Sequence, residues 1–263
     1  MSVALATQLR EGTKKSHTMA ENTGFVSCFL KGVVDKLSYR KLVADLFFVY
    51  EAMEEEMHRL KDHPVLAPIA FEQLDRVTAL EEDLAFYFGP EWRQQIQASP
   101  AATEYVARIR EVAQTAPELL VGHHYTRYLG DLSGGQILKN IAQKAMNNPT
   151  DDGLHFYVFP EIADEKAFKT TYRSAMDTLP IDQPMADRIV EEANQAFHLN
   201  MKMFQELEGN LVAAIGKVLF GFLTRRQQCK SSQQKQGSGI ISYISYEHGV
   251  YPERLPIYPV LLV

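Results

Sequence analysis

The sequence predicts an all-α fold, and three observations point to it. Apolar residues recur at three- and four-residue steps through most of positions 1–224. Capping residues and prolines stand where those runs begin and end. No alternating strand pattern with turn residues interrupts the body. The simplest architecture is a single-domain helical bundle around one core.

The elements follow in order. Leu5, Leu9, Thr13 and His17 step by four along an N-terminal helix. From Ser38, read as an N-cap, Leu42, Leu46, Val49, Met53, Met57 and Leu60 mark an amphipathic helix that ends before Pro64. A helix from Thr78 carries Leu80, Leu84 and Phe88 and stops at Gly89-Pro90. Residues 101–115 present Tyr105, Ile109, Val112 and Ala113. Pro117 suits the first turn of a long helix through Leu120, Tyr125, Leu129, Ile137, Ile141 and Ala145 to Met146. Asn147-Asn148-Pro149 and Asp151-Asp152-Gly153 then form a loop. Asp164 caps a helix reaching Thr178. Asp182 precedes the last helix, Pro184 to Leu223, with Ile189, Ala193, Phe197, Met201, Phe204 and Leu211 inward.

Composition narrows the function classes. The chain has 263 residues, 46% hydrophobic and 23% charged, which suffices for one sizeable core. Lys and Arg total 27 against 33 Asp and Glu, a net charge of −6, which argues against a strongly basic nucleic-acid binder. Cys28 and Cys229 alone make neither a disulfide framework nor a structural zinc site, and a reducing compartment is expected. The N-terminus lacks the apolar core of a signal peptide. No run approaches the ~20 apolar residues of a membrane span. Residues 225–263 differ in kind: a Gln/Ser-rich polar linker, then IISYISY and LPIYPVLLV, with a charge of +3 that leaves −9 for the body. They are expected to be disordered or loosely docked, and no function is read from them.

The oddest segment is YLGDLSGGQ, residues 128–136. Gly130, Gly134 and Gly135 each cost about 1 kcal/mol in a helix interior relative to Ala. Gly130 and Gly134 share a face, where missing side chains let a flat group approach the backbone. A helix crossing or a kink would use the same glycines, and Asp131 beside them adds the chemistry of a site. On the first helix, Glu21 lies four residues after His17 and can orient the imidazole of a metal-binding histidine. Arg10 lies seven residues before His17, on the same face. Lys169 and Arg173 form an i,i+4 pair of cations beside Tyr172, suited either to two carboxylates or to solvent.

These pieces together resemble the heme oxygenase family, in particular its cyanobacterial and plastid branch. The resemblance spans residues 5–224. It rests on LREGTKKSHTMAEN (9–22), FVYEAMEEEM (48–57), ELLVGHHYTRYLGDLSGGQ (118–136), FKTTYRSAMDTL (168–179) and EEANQAFHLNMKMF (191–204). It implies a catalytic domain over 1–224 that holds heme b between the N-terminal helix and a kinked, Gly-rich distal helix. His17 matches the proximal iron ligand, with Glu21 holding its ring. Gly130, Gly134 and Gly135 match the distal helix. Asp131 matches the acid that anchors a water network, supported by Tyr50, Thr126, Arg127 and Asn200. Arg10, Tyr125, Lys169 and Arg173 match the residues that hold the propionates. Phe197 and Phe204 match pocket walls, with Phe29 a further candidate. His124 departs from the family pattern, and the expectation is that it faces solvent on the far side of its helix.

The implied reaction is oxidative opening of heme at the α-meso carbon, giving biliverdin IXα, carbon monoxide and ferrous iron from O2 and electrons. Reduced ferredoxin is the implied donor, docking on a basic patch for which Lys14, Lys15, Arg127, Lys139 and Lys144 are candidates. Such an enzyme feeds bilin synthesis, with a bilin reductase downstream, in a cyanobacterial cytoplasm or a plastid stroma. A non-enzymatic heme carrier or sensor on the same fold is the alternative, and it would need no Asp131 network. A di-iron reading of Glu55-Glu56-Met57-His58 lacks a second Glu-x-x-His, so Glu54–Glu56 are read as a charged face paired to Lys and Arg. A thiaminase-like activity lacks a nucleophile setting for either cysteine.

Overall fold

Several helix starts in this chain are set by side chains that satisfy the free N–H groups of the first turn. In the computed structural model, residues 3–233 are described, those from 209 onward by their backbone alone. Ser99 Oγ accepts from the Ala102 N–H at 3.1 Å and starts α5 (Pro100–Thr115). Asp164 accepts from Ala167 at 2.9 Å and starts α8 (Glu165–Asp177). Asp182 accepts from Met185 at 3.0 Å at the head of α9 (Gln183–Gln233). For α3 (Lys36–Arg59) the cap is Asp35 and not Ser38: its carboxylate takes the N–H groups of Leu37 and Ser38, so the helix begins nearly a turn earlier than expected. The start of α4 (Val77–Phe88) is held from outside, because Glu54 on α3 accepts from the Arg76 and Val77 N–H groups.

The remaining helices are α1 (Leu5–Glu21), α2 (Gly24–Leu30), α6 (Leu120–His124) and α7 (Gly130–Ala145), and no strand occurs among the described residues. The expected stripe of α3 is buried from Leu42 to Met57, and α5 buries all four of its expected residues. The spine is α9, about 77 Å long at 1.5 Å per residue over its 51 residues. Against it lie α1, α2, α3, α5 and α6. Two glycines let this happen. Gly12 meets Val190, and a Cβ on Gly122 would sit 2.8 Å from the Ala193 nitrogen and the Ile189 oxygen. The backbone of α9 continues ten residues beyond the expected end at Leu223, into the segment read as polar linker. The rest of the tail, from Gln234, lies outside the described residues.

The long helix expected from Pro117 to Met146 is one path with an irregularity inside it. Between α6 and α7, Tyr125–Leu129 take a wider π turn. That adds one residue to the turn and shifts the phase of everything after it. The consequence shows in the core. Ile137, expected inward, is exposed, whereas Leu138 packs against the core and Ala142 is fully buried.

Candidate functional site

A cleft partly open to solvent lies between α1 and α2 on one side and α7 on the other. Its walls are mostly apolar, as those of small-molecule sites are. Phe25 and Phe29 come from α2, Leu42 and Leu46 from α3, and Phe197 and Phe204 from α9. Phe29 is thereby a wall residue, and Phe204 stacks on Phe25 with centroids 6.1 Å apart. A wall that the sequence reading missed is Phe156-Tyr157, on a short turn at 155–157. Its signal was the apolar run FYVF, between the loop ending at Gly153 and the helix capped by Asp164, where the sequence reading assigned nothing.

That turn is pinned by two buried charges. Asp83 accepts from the His155 and Phe156 N–H groups at 2.8 and 2.9 Å. Arg76 donates to the Val158 carbonyl and stacks on Phe159, its guanidinium 3.9 Å from the ring centroid. Phe156 then stands edge-on to Tyr50.

His17 reaches the cleft from α1. Its ring is T-shaped to Phe197, and its Nδ1 faces Glu21 Oε2 at 3.8 Å, close enough for attraction but too long for a hydrogen bond. Burial pushes the His17 pKa down, so the imidazole stays neutral, and it pushes Glu21 up. A neutral imidazole whose Nδ1 is turned to a carboxylate leaves Nε2 as the nitrogen able to ligate a metal.

Opposite lies α7. Arg127, Asp131 and Leu138 line the cleft, and Gly134 occupies the helical step between the last two. Side chains are thus missing where a flat group would meet this helix. A Cβ on Gly130 would meet nothing within 4 Å, whereas one on Gly135 would touch Tyr157 at 3.5 Å, so Gly135 backs onto the wall turn.

Asp131 is held by a network. The Tyr50 hydroxyl donates to Asp131 Oδ2. Arg127 Nε donates to Tyr50 at 3.0 Å, its Nη1 to Asn200 Oδ1 at 2.7 Å, and its Nη2 to Asp131 Oδ1 at 3.5 Å. Burial raises the pKa of Asp131, while Arg127 and Tyr50 pull the other way. Burial also works against the charge of Arg127, but Tyr50 and Asp131 outweigh it and hold the guanidinium protonated. Thr126 does not join: its hydroxyl bonds the Gly122 carbonyl at 2.9 Å and the Ala193 carbonyl at 3.4 Å, tying α6 to α9.

The expected propionate residues gather outside the lining, about 10 Å along α1 from His17 by helix rise. Tyr125 is buried, and burial raises its pKa; its hydroxyl makes no hydrogen bond of good geometry, though Thr13 lies nearby, and Arg173 and Arg10 act on it electrostatically. Lys169 Nζ reaches only the Leu132 carbonyl, at 3.4 Å, and Arg10 is turned to Glu11. An orphaned buried hydroxyl beside two cations is a donor set that fits an anionic ligand.

Four expectations need correction. His124 does not face solvent; it is 3% exposed and packed between Tyr128 and Tyr172. Tyr172 accordingly points inward and does not stand beside the cations of α8. Arg127 cannot serve on a docking surface, since it is buried in the Asp131 network, and Lys139 is largely covered and paired with Asp151 at 2.8 Å. Lys14, Lys15 and Lys144 are exposed. Glu55 and Glu56 pair with Arg110, and Glu56 also with Arg59, but only Glu55 is exposed: Glu56 is buried beneath its arginines and Glu54 on the start of α4. No cluster of three or more metal-ligating side chains occurs among the described residues.

Fold and site together define a class: helical proteins with a mostly apolar cleft between a neutral histidine and a glycine-thinned helix. Known proteins match in the same terms. The heme oxygenase family profile covers residues 3–206. Heme oxygenase 1 of Synechocystis sp. (strain ATCC 27184 / PCC 6803 / Kazusa) is 66% identical over 233 residues, 89% of this chain and 97% of the relative. Heme oxygenase of the alga Rhodella violacea is 54% identical over 84% of this chain and 94% of its own length. The crystal structure of heme oxygenase-1 from Synechocystis in complex with heme superposes with a TM-score of 0.82, covering 84% of this chain and all of that one. The chain belongs to the heme oxygenase family.

Proposed function

We propose that this protein binds heme in the cleft between α1 and α7. It opens the ring at the α-meso carbon to biliverdin IXα, carbon monoxide and ferrous iron, using O2 and electrons from reduced ferredoxin. The observation that carries this reading is a carboxylate, Asp131, held by Tyr50 and Arg127 on the cleft wall opposite His17. Bound heme supplies the iron that activates oxygen and the carbon skeleton that is oxidised.

The chain's own residues do the rest. His17, neutral through burial, offers Nε2 to the iron. Arg10, Lys169, Arg173 and the Tyr125 hydroxyl suit the two propionates and so set which meso edge faces the distal helix. Gly134 leaves the α7 backbone close to the heme face. Asp131 holds and passes protons: its carboxyl is destabilised as an anion by burial yet kept close to a buried cation, so it can gain and lose a proton through an intervening water. Tyr50 remains a protonated donor to it, its pKa raised by burial.

Reduced ferredoxin suits exposed lysines, of which Lys14, Lys15 and Lys144 are present. Its supply places the protein in a cyanobacterial cytoplasm or a plastid stroma, with a bilin reductase as the next enzyme. No helix of the described residues is long and apolar enough to cross a membrane. The test is to load the full chain with heme and add ascorbate or reduced ferredoxin in air. Loss of the Soret band with biliverdin and carbon monoxide is expected. A Soret band that persists with no bilin would make the protein a heme carrier.

A further inference from the structure

The end of α6 and the π turn present a second set of side chains away from the cleft. His124 and Tyr128 line an open groove on the other side of the helix, with Met57, His58, Phe71 and Asp75. Between that groove and the cleft network the rings are continuous. Tyr50 meets Tyr128 with centroids at 5.4 Å, and Tyr128 meets His124 at 4.3 Å. His124 then stacks on Tyr172 at 5.5 Å, with 10° between the planes. The Tyr172 hydroxyl, fully buried, lies 2.5 Å from His124 Nδ1, and with the imidazole protonated at Nε2 the phenol is the donor. A short phenol–imidazole hydrogen bond of this kind is the arrangement in which electron loss from the phenol and proton transfer to the base occur together. Burial holds His124 neutral, with its pKa pushed down to about 3, so Nδ1 is unprotonated but weakly basic and takes the phenol proton only as the phenol loses its electron and becomes strongly acidic.

We propose that Tyr172 and His124 form a redox-active pair that takes oxidising equivalents off the cleft, with Tyr128 and Tyr50 as relay rings. In the step, the Tyr172 O–H bond breaks and a bond forms between its proton and His124 Nδ1. One electron leaves through Tyr128 and Tyr50. The products are a neutral phenoxyl radical and an imidazolium. The oxidant is hydrogen peroxide acting at heme in the cleft; its reduction to water takes two electrons, one from the heme and one from Tyr172, and two protons from solvent. An added one-electron reductant such as ascorbate restores the phenol, and the proton returns from Nδ1. The pair therefore guards the site against peroxide that escapes productive use.

The coupling to the cleft rests on the heme reading above, so the test has two arms on the full-length protein. In the first, the heme-free chain is oxidised with photogenerated tris(bipyridine)ruthenium(III), and the radical is read by electron paramagnetic resonance. In the second, the heme-loaded chain is treated with hydrogen peroxide. The wild type is expected to give in both arms a tyrosyl signal with the hyperfine pattern of one fixed ring, forming more slowly in deuterated buffer. Tyr172→Phe, which conserves packing and is checked by circular dichroism, is expected to lose that signal in both arms. His124→Gln keeps an acceptor but no base, and is expected to lose it as well. An undiminished signal in Tyr172→Phe would overturn the proposal. A signal in the heme-free arm that is absent with heme and peroxide would overturn the relay from the cleft.

Discussion

Replacing Asp131 with Asn tests the proton function with little change in shape. Asn keeps an acceptor for the Tyr50 hydroxyl, but it cannot cycle between anion and acid. A positioned acid–base group contributes roughly 10²–10⁴-fold, or about 3–5 kcal/mol of barrier at 1.36 kcal/mol per tenfold. The cost to the fold is smaller. Arg127 loses a carboxylate at 3.5 Å but retains Tyr50 at 3.0 Å and Asn200 at 2.7 Å. Removing an anion that burial already disfavours offsets part of the loss, so a net destabilisation of about 1–2 kcal/mol is expected, below the 3–5 of an unsupported buried pair. The assay is heme titration followed by single-turnover bilin formation with ascorbate. Retained heme affinity with a loss of about 10²-fold or more in rate is expected. Biliverdin formation at the wild-type rate would refute the reasoning.

Two further predictions concern the scaffold. Burial opposes ionisation of Glu192, but its bonds to Arg108 and His123 outweigh this and bring its pKa down from 4.5 to about 2. A depressed acid contributes stability that is present above pH 4.5 and lost as pH falls towards 2. Glu192→Gln should therefore cost about 3 kcal/mol at neutral pH, with the gap to wild type narrowing through that acid window in urea titrations; a gap independent of pH would contradict it. Gly122→Ala places a Cβ against α9 backbone at 2.8 Å, so overpacking of about 1–3 kcal/mol should outweigh the helix-propensity gain of about 1 kcal/mol. A raised melting temperature in that variant would show that propensity wins.

The periodicity of this chain made its helices legible, because apolar steps of three and four report burial directly. Leu42 to Met57 and Tyr105 to Ala113 are buried as read. What periodicity could not show was the extra residue of the π turn, which has no compositional mark and shifts Ile137 out of the core. Caps were ambiguous where two candidates stood close, as with Asp35 and Ser38. In the site, His17, Asp131 and the glycines stood out by their spacing and family match, and the cleft brings His17, Asp131 and Arg127 together. Long-range partners were less visible. Phe156 and Tyr157 enter the cleft only because Arg76 and Asp83, some seventy to eighty positions earlier, pin their turn. His124 could not be placed from sequence, since its burial depends on Tyr172 from another helix.

The central claim is that His17 is the residue through which the cleft holds heme iron. Resonance Raman and absorption spectra of heme-loaded wild type and His17→Ala test it most directly, with bilin formation followed before and after addition of free imidazole. The wild type should show an iron–imidazole signature. The variant should bind heme without it, and added imidazole should restore both the signature and biliverdin production. An unchanged imidazole-ligated spectrum in His17→Ala, before any imidazole is added, would contradict the account.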